Sequence, residues 1–239
     1  SPDIPLNVSR SFLQADSNVK KINNYIAKKV ADTHAELYKS DREGYEAKWN
    51  SIGLFVKYGM ISDEKFYDKG KDFALLTNTE GKHFTFDEYK EHVAPNQTDK
   101  NDSLIYLYTC DKEGQHTYIS SATKRSYDVL DLGGPLDSHF INHLESKLEK
   151  TQIKRVDAEL MDKIIDNDEQ REAVLSEDEQ TKLKDIYQEA IGDETVTLSV
   201  EALSADEMPV TITEAEFMRR MKDMAAVSGC GMPFIGGMG

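Results

Sequence analysis

The chain has 239 residues and a formal net charge of -15, because 44 acidic residues outnumber 29 basic ones. This length predicts two compact units. A surface with this much negative charge repels the phosphate backbone, so nucleic acid is an unfavourable partner. No apolar stretch approaches the roughly 20 residues that a membrane-spanning helix needs, so we expect no membrane contact.

A long helix is predicted to open at Asp16 or Ser17. Its apolar residues recur at helical spacing and form a stripe of Val19, Ile22, Ile26, Val30 and Leu37. Lysine and glutamate side chains occupy the opposite face. The spacing therefore predicts an amphipathic helix whose stripe packs against the core.

Two further helices are predicted before residue 72. Asp41 is expected to cap the second helix and Gly59 to end it, while Ser62 to Gly70 form the third. The second helix is predicted to direct four large side chains inward, namely Tyr45, Trp49, Ile52 and Val56. Residues 1–72 are thus predicted to form a helical unit.

Strands and helices are predicted to alternate over residues 73–156. Thr85 and Glu88 have the spacing of a capping box, which opens a helix. The elements predicted after it are the strands Leu104–Tyr108 and Tyr127–Leu132 and the helices Gln115–Arg125 and Leu136–Leu148. Such alternation predicts a small parallel sheet with helices on both faces, a three-layer αβα unit.

Residues 157–239 are predicted to form a smaller α+β unit. The acidic stretch from Asp157 to Glu179 is interpreted either as a link to this unit or as a solvated helix face. Ser176 and Glu179 then form a capping box for a helix that ends at Gly192.

Two strands and a last helix follow in the predicted C-terminal unit. The strands are Thr195–Val200 and Val210–Thr213, and Thr213 with Glu216 makes a third capping box. The predicted fold class is therefore α/β, or α+β over the whole chain.

Arg10 and Gln14 are four residues apart, so both side chains can point the same way from a helical turn. Arginine suits phosphate binding because its planar guanidinium donates two parallel hydrogen bonds and keeps its charge. The spacing permits a phosphate clamp, but an arginine in a first helical turn is more often a plain surface residue.

The last predicted helix carries a soft apolar stripe. Phe217, Met221 and Met224 fall on one face, and Met218 lies beside them. Methionine is flexible and polarisable, which suits a surface that repacks around unrelated apolar partners. Spacing alone equally describes an ordinary core helix, and that interpretation stays open.

Cysteine and histidine patterns predict no metal site. Cys110 and Cys230 are far apart in sequence and outside any CxxC motif, which argues against a disulfide framework or a zinc site. Because the first residues also contain no secretory signal, we predict a cytoplasmic protein. Cys110 with His116 is rejected as a nucleophile and base, since a cysteine after a β-rich strand is usually a small buried hydrophobe. His139 and His143 share a helical face but have no third ligand nearby.

The segment around Arg10, PLNVSRSFLQ, resembles the PLNVSRExLQ catalytic-loop segment of the ninety-kilodalton heat-shock chaperone family, which includes the bacterial HtpG proteins. Other segments resemble that family's middle domain in the same order, among them KKINNYIAKKVAD and YEAKWNSIGLFVKYGMISDE. The stretch EAEFMRRMKDMA resembles the methionine-bearing helix of its C-terminal domain. The resemblance covers most of the chain and implies the C-terminal part of a middle domain followed by the beginning of a C-terminal domain.

The resemblance implies that Arg10 and Gln14 are catalytic residues. In that family the loop arginine reaches ATP held with magnesium by the N-terminal ATPase domain of the same chain, and the glutamine supports it. Ser11 stands where the family commonly has Glu. No phosphate-cradling G-x-x-x-x-G-K loop occurs in this sequence. We therefore expect no cofactor and no ATPase activity in this fragment, and an ATPase in the full-length protein.

The family binds unfolded or partly folded client proteins and works as a homodimer. The resemblance implies client contacts in the last helix, at Phe217, Met218, Met221 and Met224. It also implies a second client patch at the start of the helix Leu136–Leu148, at Ser138, His139, Phe140 and Asn142. Because the family's dimer-forming helices follow the last matched segment, we expect this fragment to be monomeric or only weakly associated.

Two other functional classes stay open. An acidic stand-alone scaffold would bind a basic partner in a salt-sensitive way and have no link to ATP. A small-molecule enzyme on the αβα unit would need convergent polar groups in a pocket at the strand ends. The sequence contains no motif for such an enzyme.

Overall fold

The structure is a computed structural model that describes residues 17–165, 175–193, 195–202, 209–213 and 221. In chain order the helices are α1 (Ser17–Ser40), α2 (Arg42–Ser62), α3 (Glu64–Gly70), α4 (Phe86–Val93), α5 (His116–Lys124), α6 (Asp137–Lys147), α7 (Met161–Ile164) and α8 (Glu177–Ile191). The strands are β1 (Leu76–Thr77), β2 (His83–Phe84), β3 (Leu104–Thr109), β4 (Val129–Asp131) and β5 (Thr151–Arg155). Within the described ranges, every helix is too short or too polar to cross a lipid bilayer.

Helix α1 forms as predicted, but the prediction that its aliphatic stripe faces the core is wrong. Ile22, Ile26, Val30 and Leu37 are between 38% and 52% exposed. The buried face consists of small residues instead, with Ala31 fully buried and Ala27 and Ala35 packed against the core. Small side chains let α1 approach α3 closely, so the alanine face is the one that fits the available space.

Helix α2 buries the face that the sequence predicts. Its buried residues are Tyr45, Trp49, Gly53, Val56 and Met60. The helix runs past Gly59 to Ser62, so the predicted end at Gly59 is wrong. Asp63 ends α2, and its carboxylate accepts a hydrogen bond from the backbone N–H of Phe66 at 2.9 Å, which caps α3. Gly59 has a packing role, because a Cβ there would lie 2.8 Å from the ring of Phe66.

The predicted parallel sheet is present, with the strand order β4-β3-β5. Every residue of β3 is buried, as expected for the central strand of a sheet covered on both faces. Helices α5 and α6 connect the strands at the predicted positions. The short antiparallel hairpin of β1 and β2 adjoins the edge strand β4 through a bridge between Asn78 and Leu130. The predicted fold class, a helical segment followed by a small αβα unit, is confirmed.

Alternate residues of β3 face two different cores. Tyr106 and Tyr108 belong to the larger core, which also contains Trp49 and Met60 of α2. Leu107, on the other face of the strand, belongs to a smaller core that includes residues of α5, β4 and α7. The helical segment and the αβα unit therefore share one continuous core, which crosses the predicted boundary between residues 72 and 73.

An exposed ion pair also joins these two parts. Arg42, at the start of α2, donates hydrogen bonds to both carboxylate oxygens of Glu88 in α4. Glu88 completes the predicted capping box with Thr85, which is confirmed. The hydrogen bond from Arg42 holds the pKa of the Glu88 carboxyl below its usual value. Because both side chains are more than a third exposed, water screens the pair and its contribution to stability is small.

The C-terminal unit is partly described. The capping box of Ser176 and Glu179 opens α8, and Gly192 ends it in the left-handed conformation, as predicted. The described residues of 195–202 and 209–213 contain no strand, which differs from the prediction. This part contacts the αβα unit, since the Tyr118 hydroxyl donates a hydrogen bond to the carbonyl of Ile212 at 2.8 Å.

Replacing Gly133 with Ala is expected to lower the free energy of unfolding by about 1–3 kcal/mol. A Cβ at this position would lie 2.6 Å from the backbone carbonyl oxygen of Cys110, which directly follows β3. Urea denaturation measures the change. Gly114→Ala is the control, because its Cβ meets the exposed side-chain carboxylate of Asp111 at 2.5 Å instead of the backbone and should cost less. Equal stability losses in the two variants would contradict the packing argument.

Candidate functional site

The structure describes one of the two predicted client surfaces. Arg10, Gln14, Phe217, Met218 and Met224 lie outside the described residues, so their assigned roles stay predictions. Met221 is described and is 50% exposed. The patch at the start of α6 lies wholly within the described residues.

The first residue of α6 is a buried carboxylate. Asp137 is 4% exposed, and its Oδ2 accepts a hydrogen bond from the backbone N–H of Gly134 at 2.8 Å. Its Oδ1 forms an ion pair with Nζ of Lys57, which comes from α2. A negative charge at this end of a helix also interacts favourably with the helix dipole. Asp137 thus fixes the start of α6 to the helical segment.

Lys57 makes two contacts with α6. Besides its ion pair with Asp137, its Nζ lies 5.4 Å from the centre of the Phe140 ring, on the same helix. The Lys57 side chain is only 15% exposed, so the charge of this lysine is satisfied within the protein. A buried ion pair of this kind is costly to break on one side, because the remaining charge loses its partner without regaining water.

The four residues of the predicted patch have different environments. His139 is exposed, and Ser138 and Asn142 are half-buried. Phe140 is 1% exposed and packs in the larger core, where its ring centre lies 6.4 Å from that of Phe86. The Phe140 side chain therefore cannot contact a partner in this conformation. Of the predicted patch, only Ser138, His139 and Asn142 reach the surface of α6.

The second histidine of α6, His143, is partly buried, whereas His139 is exposed. His143 packs edge-on against the ring of Tyr67 with centres 5.0 Å apart, and its Nε2 is buried without a hydrogen-bond partner among the described groups. Burial lowers the pKa of His143, so its ring is neutral at neutral pH. Over the described ranges, no group of three or more His, Cys, Asp or Glu side chains is arranged to hold a metal ion.

A polar network at the carboxyl end of the sheet was missed in the sequence analysis. The Arg155 guanidinium donates to Oδ1 of Asp157 at 2.8 Å and to the sulfur of Cys110 at 3.0 Å. The amide of Gln115 donates to Oδ2 of Asp157 at 2.6 Å and accepts from the Thr109 hydroxyl at 2.6 Å. The sequence signal that could have predicted this network is the presence of polar residues directly after two neighbouring parallel strands. Because these groups are paired with one another, the network has a structural role.

An apolar cavity of about 550 Å³ lies in the C-terminal unit, between α8 and the segments 195–202 and 209–213. Its lining includes Tyr187 and Ile191 from the helix and Val196, Leu198 and Val210 from the two segments. The alternating apolar residues that predicted strands therefore line this cavity.

A family model and similar curated proteins point to the same family. A family model described as Hsp90 protein matches residues 1–228. The chain is 46% identical over 241 residues to a chaperone protein HtpG of Bacteroides fragilis, and 47% identical over 239 residues to one of Porphyromonas gingivalis. These alignments cover 100% and 99% of this chain but only 35% of each relative.

Among solved structures, the middle domain of a Plasmodium falciparum heat shock protein is similar with a TM-score of 0.46 and 19% identity, over 58% of this chain and 57% of that one.

Replacing Lys57 with Met is expected to lower the free energy of unfolding by about 3–5 kcal/mol, because Asp137 would stay buried and charged without its partner. The double variant K57M/D137N should recover most of this loss, since asparagine still accepts the hydrogen bond of Gly134 but carries no charge. Urea denaturation at pH 7 measures both variants. If K57M/D137N is as unstable as the Lys57→Met variant, the unpaired charge of Asp137 is not the cause of the stability loss.

Proposed function

The chain belongs to the Hsp90 protein family, and from this membership we propose that it is part of a longer ATP-dependent chaperone that binds unfolded or partly folded client proteins. The observation that carries the proposal is the family match over residues 1–228, together with chaperones that are 46–47% identical over nearly the whole chain. Because the chain spans 35% of these relatives, the activity is proposed for the longer protein.

Coupling to ATP is proposed to depend on Arg10. In the longer protein, the guanidinium of Arg10 would contact the terminal phosphate of ATP and magnesium held by the N-terminal domain, and Gln14 would orient it. A guanidinium stabilises the charge that develops on the transferred phosphoryl group, so its contribution is larger in the transition state than in the bound nucleotide. The loop sequence PLNVSRSFLQ supports this assignment.

Arg10→Ala in the full-length protein is expected to reduce ATP turnover on the order of 100-fold, as for the loss of one transition-state donor. The affinity for ATP should change little, because the N-terminal domain supplies most nucleotide contacts. Steady-state hydrolysis and nucleotide titration measure the two quantities, with Ser11→Ala as the neighbouring control. Adding this chain in trans to an isolated ATPase domain of the family gives a second readout. Turnover that does not depend on Arg10 would remove the assignment.

Client binding is proposed at two surfaces. On α6, His139 and Asn142 lie on the outward side of the helix, which the Lys57–Asp137 ion pair fixes in place. In the last predicted helix, Met221 and Met224 would provide a flexible apolar surface together with Phe217 and Met218. The half-exposed side chain of Met221 agrees with this role. We also propose that the full-length protein is a cytoplasmic homodimer.

Met221→Ser with Met224→Ser is expected to weaken the suppression of client aggregation about fivefold, a loss of roughly 1 kcal/mol in binding. His139→Ser with Asn142→Ala should have an effect in the same direction. Light scattering of a chemically unfolded client measures both variants. Ile186→Ser is the control, because this residue is 63% exposed and lies on neither surface. If replacing the two methionines lowers the stability of the protein but leaves client binding unchanged, the last helix belongs to the core.

An acidic scaffold without a link to ATP is the second candidate. The net charge of -15 favours it, because such a surface attracts basic proteins. Binding of a basic protein that is lost at high salt, with no effect of Arg10 on any ATPase domain, would favour the scaffold over the chaperone.

A further inference from the structure

A small cluster of ring and charged side chains joins the second half of α6 to α3. The His143 ring meets the Tyr67 ring edge-on, with the ring centres 5.0 Å apart. One turn later on α6, Nζ of Lys147 lies 5.4 Å from the centre of the same tyrosine ring and forms an ion pair with Glu64, the first residue of α3. Tyr67 lies beneath these side chains and is only 7% exposed.

The buried nitrogen of His143 makes this contact depend on the charge of the ring. Its Nε2 is buried and has no hydrogen-bond partner among the described groups. A neutral imidazole carries one hydrogen, which can lie on the other nitrogen, whereas a protonated imidazole carries a hydrogen on both. Protonation therefore turns Nε2 into a charged donor, which is costly to keep buried without an acceptor.

Two charges act on the His143 ring, and they oppose each other. Lys147 disfavours a second positive charge beside it, and Glu64 favours one. The Glu64 carboxylate is already paired with Lys147, and its side chain is 63% exposed, so water screens its attraction for the ring. The ion pair therefore does not offset the cost of protonating the buried nitrogen.

The other elements that pack against α6 bring charges that have partners of their own. Lys57 of α2 is paired with Asp137 in the first turn of α6. Arg155 of β5 is paired with Asp157. Burial raises the pKa of the Tyr67 phenol, so this ring stays neutral at neutral and mildly acidic pH. The charge at the contact with α3 is therefore governed by the histidine and the ion pair beside it.

The direction of the pH dependence follows from burial. Burial, and then the charge of Lys147, lowers the pKa of His143 in the packed state. Once the ring is separated from α3 and reached by water, it has the usual histidine pKa of about 6.5. The packed state is consequently fully favoured above about pH 6.5 and loses stability as the pH falls toward the lower pKa of the packed ring.

We propose that His143 makes the contact between α3 and α6 sensitive to acid: protonation of its ring separates the side chains of the two helices and opens Tyr67 to water. Phe140 and Leu144 anchor α6 in the larger core, so the opening is local and the helix stays in place. The inference concerns the fold and is independent of the proposed chaperone function.

The test measures the accessibility of Tyr67 in the full chain at about pH 7.5 and about pH 5.5, on either side of the usual histidine pKa. Hydroxyl-radical labelling with mass spectrometry is expected to show about fivefold faster modification of Tyr67 at the lower pH, because the opening equilibrium follows the protonation of one histidine. His143→Gln should abolish this rise. His139→Gln is the matched control and should retain it, because it removes an exposed imidazole one turn earlier on the same helix.

A second variant and a titration cover the case in which glutamine packs poorly. His143→Phe keeps a ring against Tyr67 and cannot be protonated, and it loses no bond of Nε2 to the described groups. It should label Tyr67 equally at both pH values. In the unmodified chain, an NMR titration of the His143 ring should give a pKa below the usual histidine value.

Three results would overturn the inference. One is a rise in Tyr67 labelling that persists in His143→Phe, and another is an unmodified chain that shows no rise. The third is a His143 ring that titrates at or above the usual histidine pKa. A rise that Glu64→Gln abolishes and His143→Phe retains would assign the pH response to the ion pair with Lys147 instead.

Discussion

The larger hydrophobic core determines how the helical segment sits on the sheet. It contains Trp49 and Met60 from α2, Tyr106 from the central strand and Phe140 from α6. Because these side chains fill one continuous space, α2 and α6 cannot move independently without opening voids or burying fewer apolar atoms. The outward residues of both helices are consequently held in a fixed relation to one another.

Buried charges are placed where elements meet, and each has a partner. Lys57 and Asp137 join α2 to the start of α6, and Arg155 with Asp157 joins the ends of β3 and β5 through Gln115. Such pairs add little net stability compared with apolar residues of the same size, but they penalise any arrangement that separates the partners. They therefore restrict the elements to one orientation more than they strengthen the fold. The apolar core provides most of the stabilising free energy.

Both long helices of the N-terminal segment are apolar on more than one side. In α1 the alanine face is buried and Ile26 is outward, and in α2 Trp49 is buried while Phe55 is outward. These outward apolar side chains are accessible to a partner, whereas those of the buried faces are not.

The sequence by itself determined the elements with strong local signals, and it supplied the family resemblance. The capping boxes at Thr85 and Ser176 were predicted because their hydrogen bonds join residues three positions apart. The strand β3 was predicted because residues 104–108 are of types that favour strands. Only the tertiary structure decided which of two apolar faces is buried. Periodicity identifies a face of a helix but not the shape of the space it must fill, so the α1 stripe was misassigned. The family resemblance in turn placed Phe140 on the surface with His139, although packing buries it. Those choices depend on packing between residues far apart in the chain, which no local pattern records.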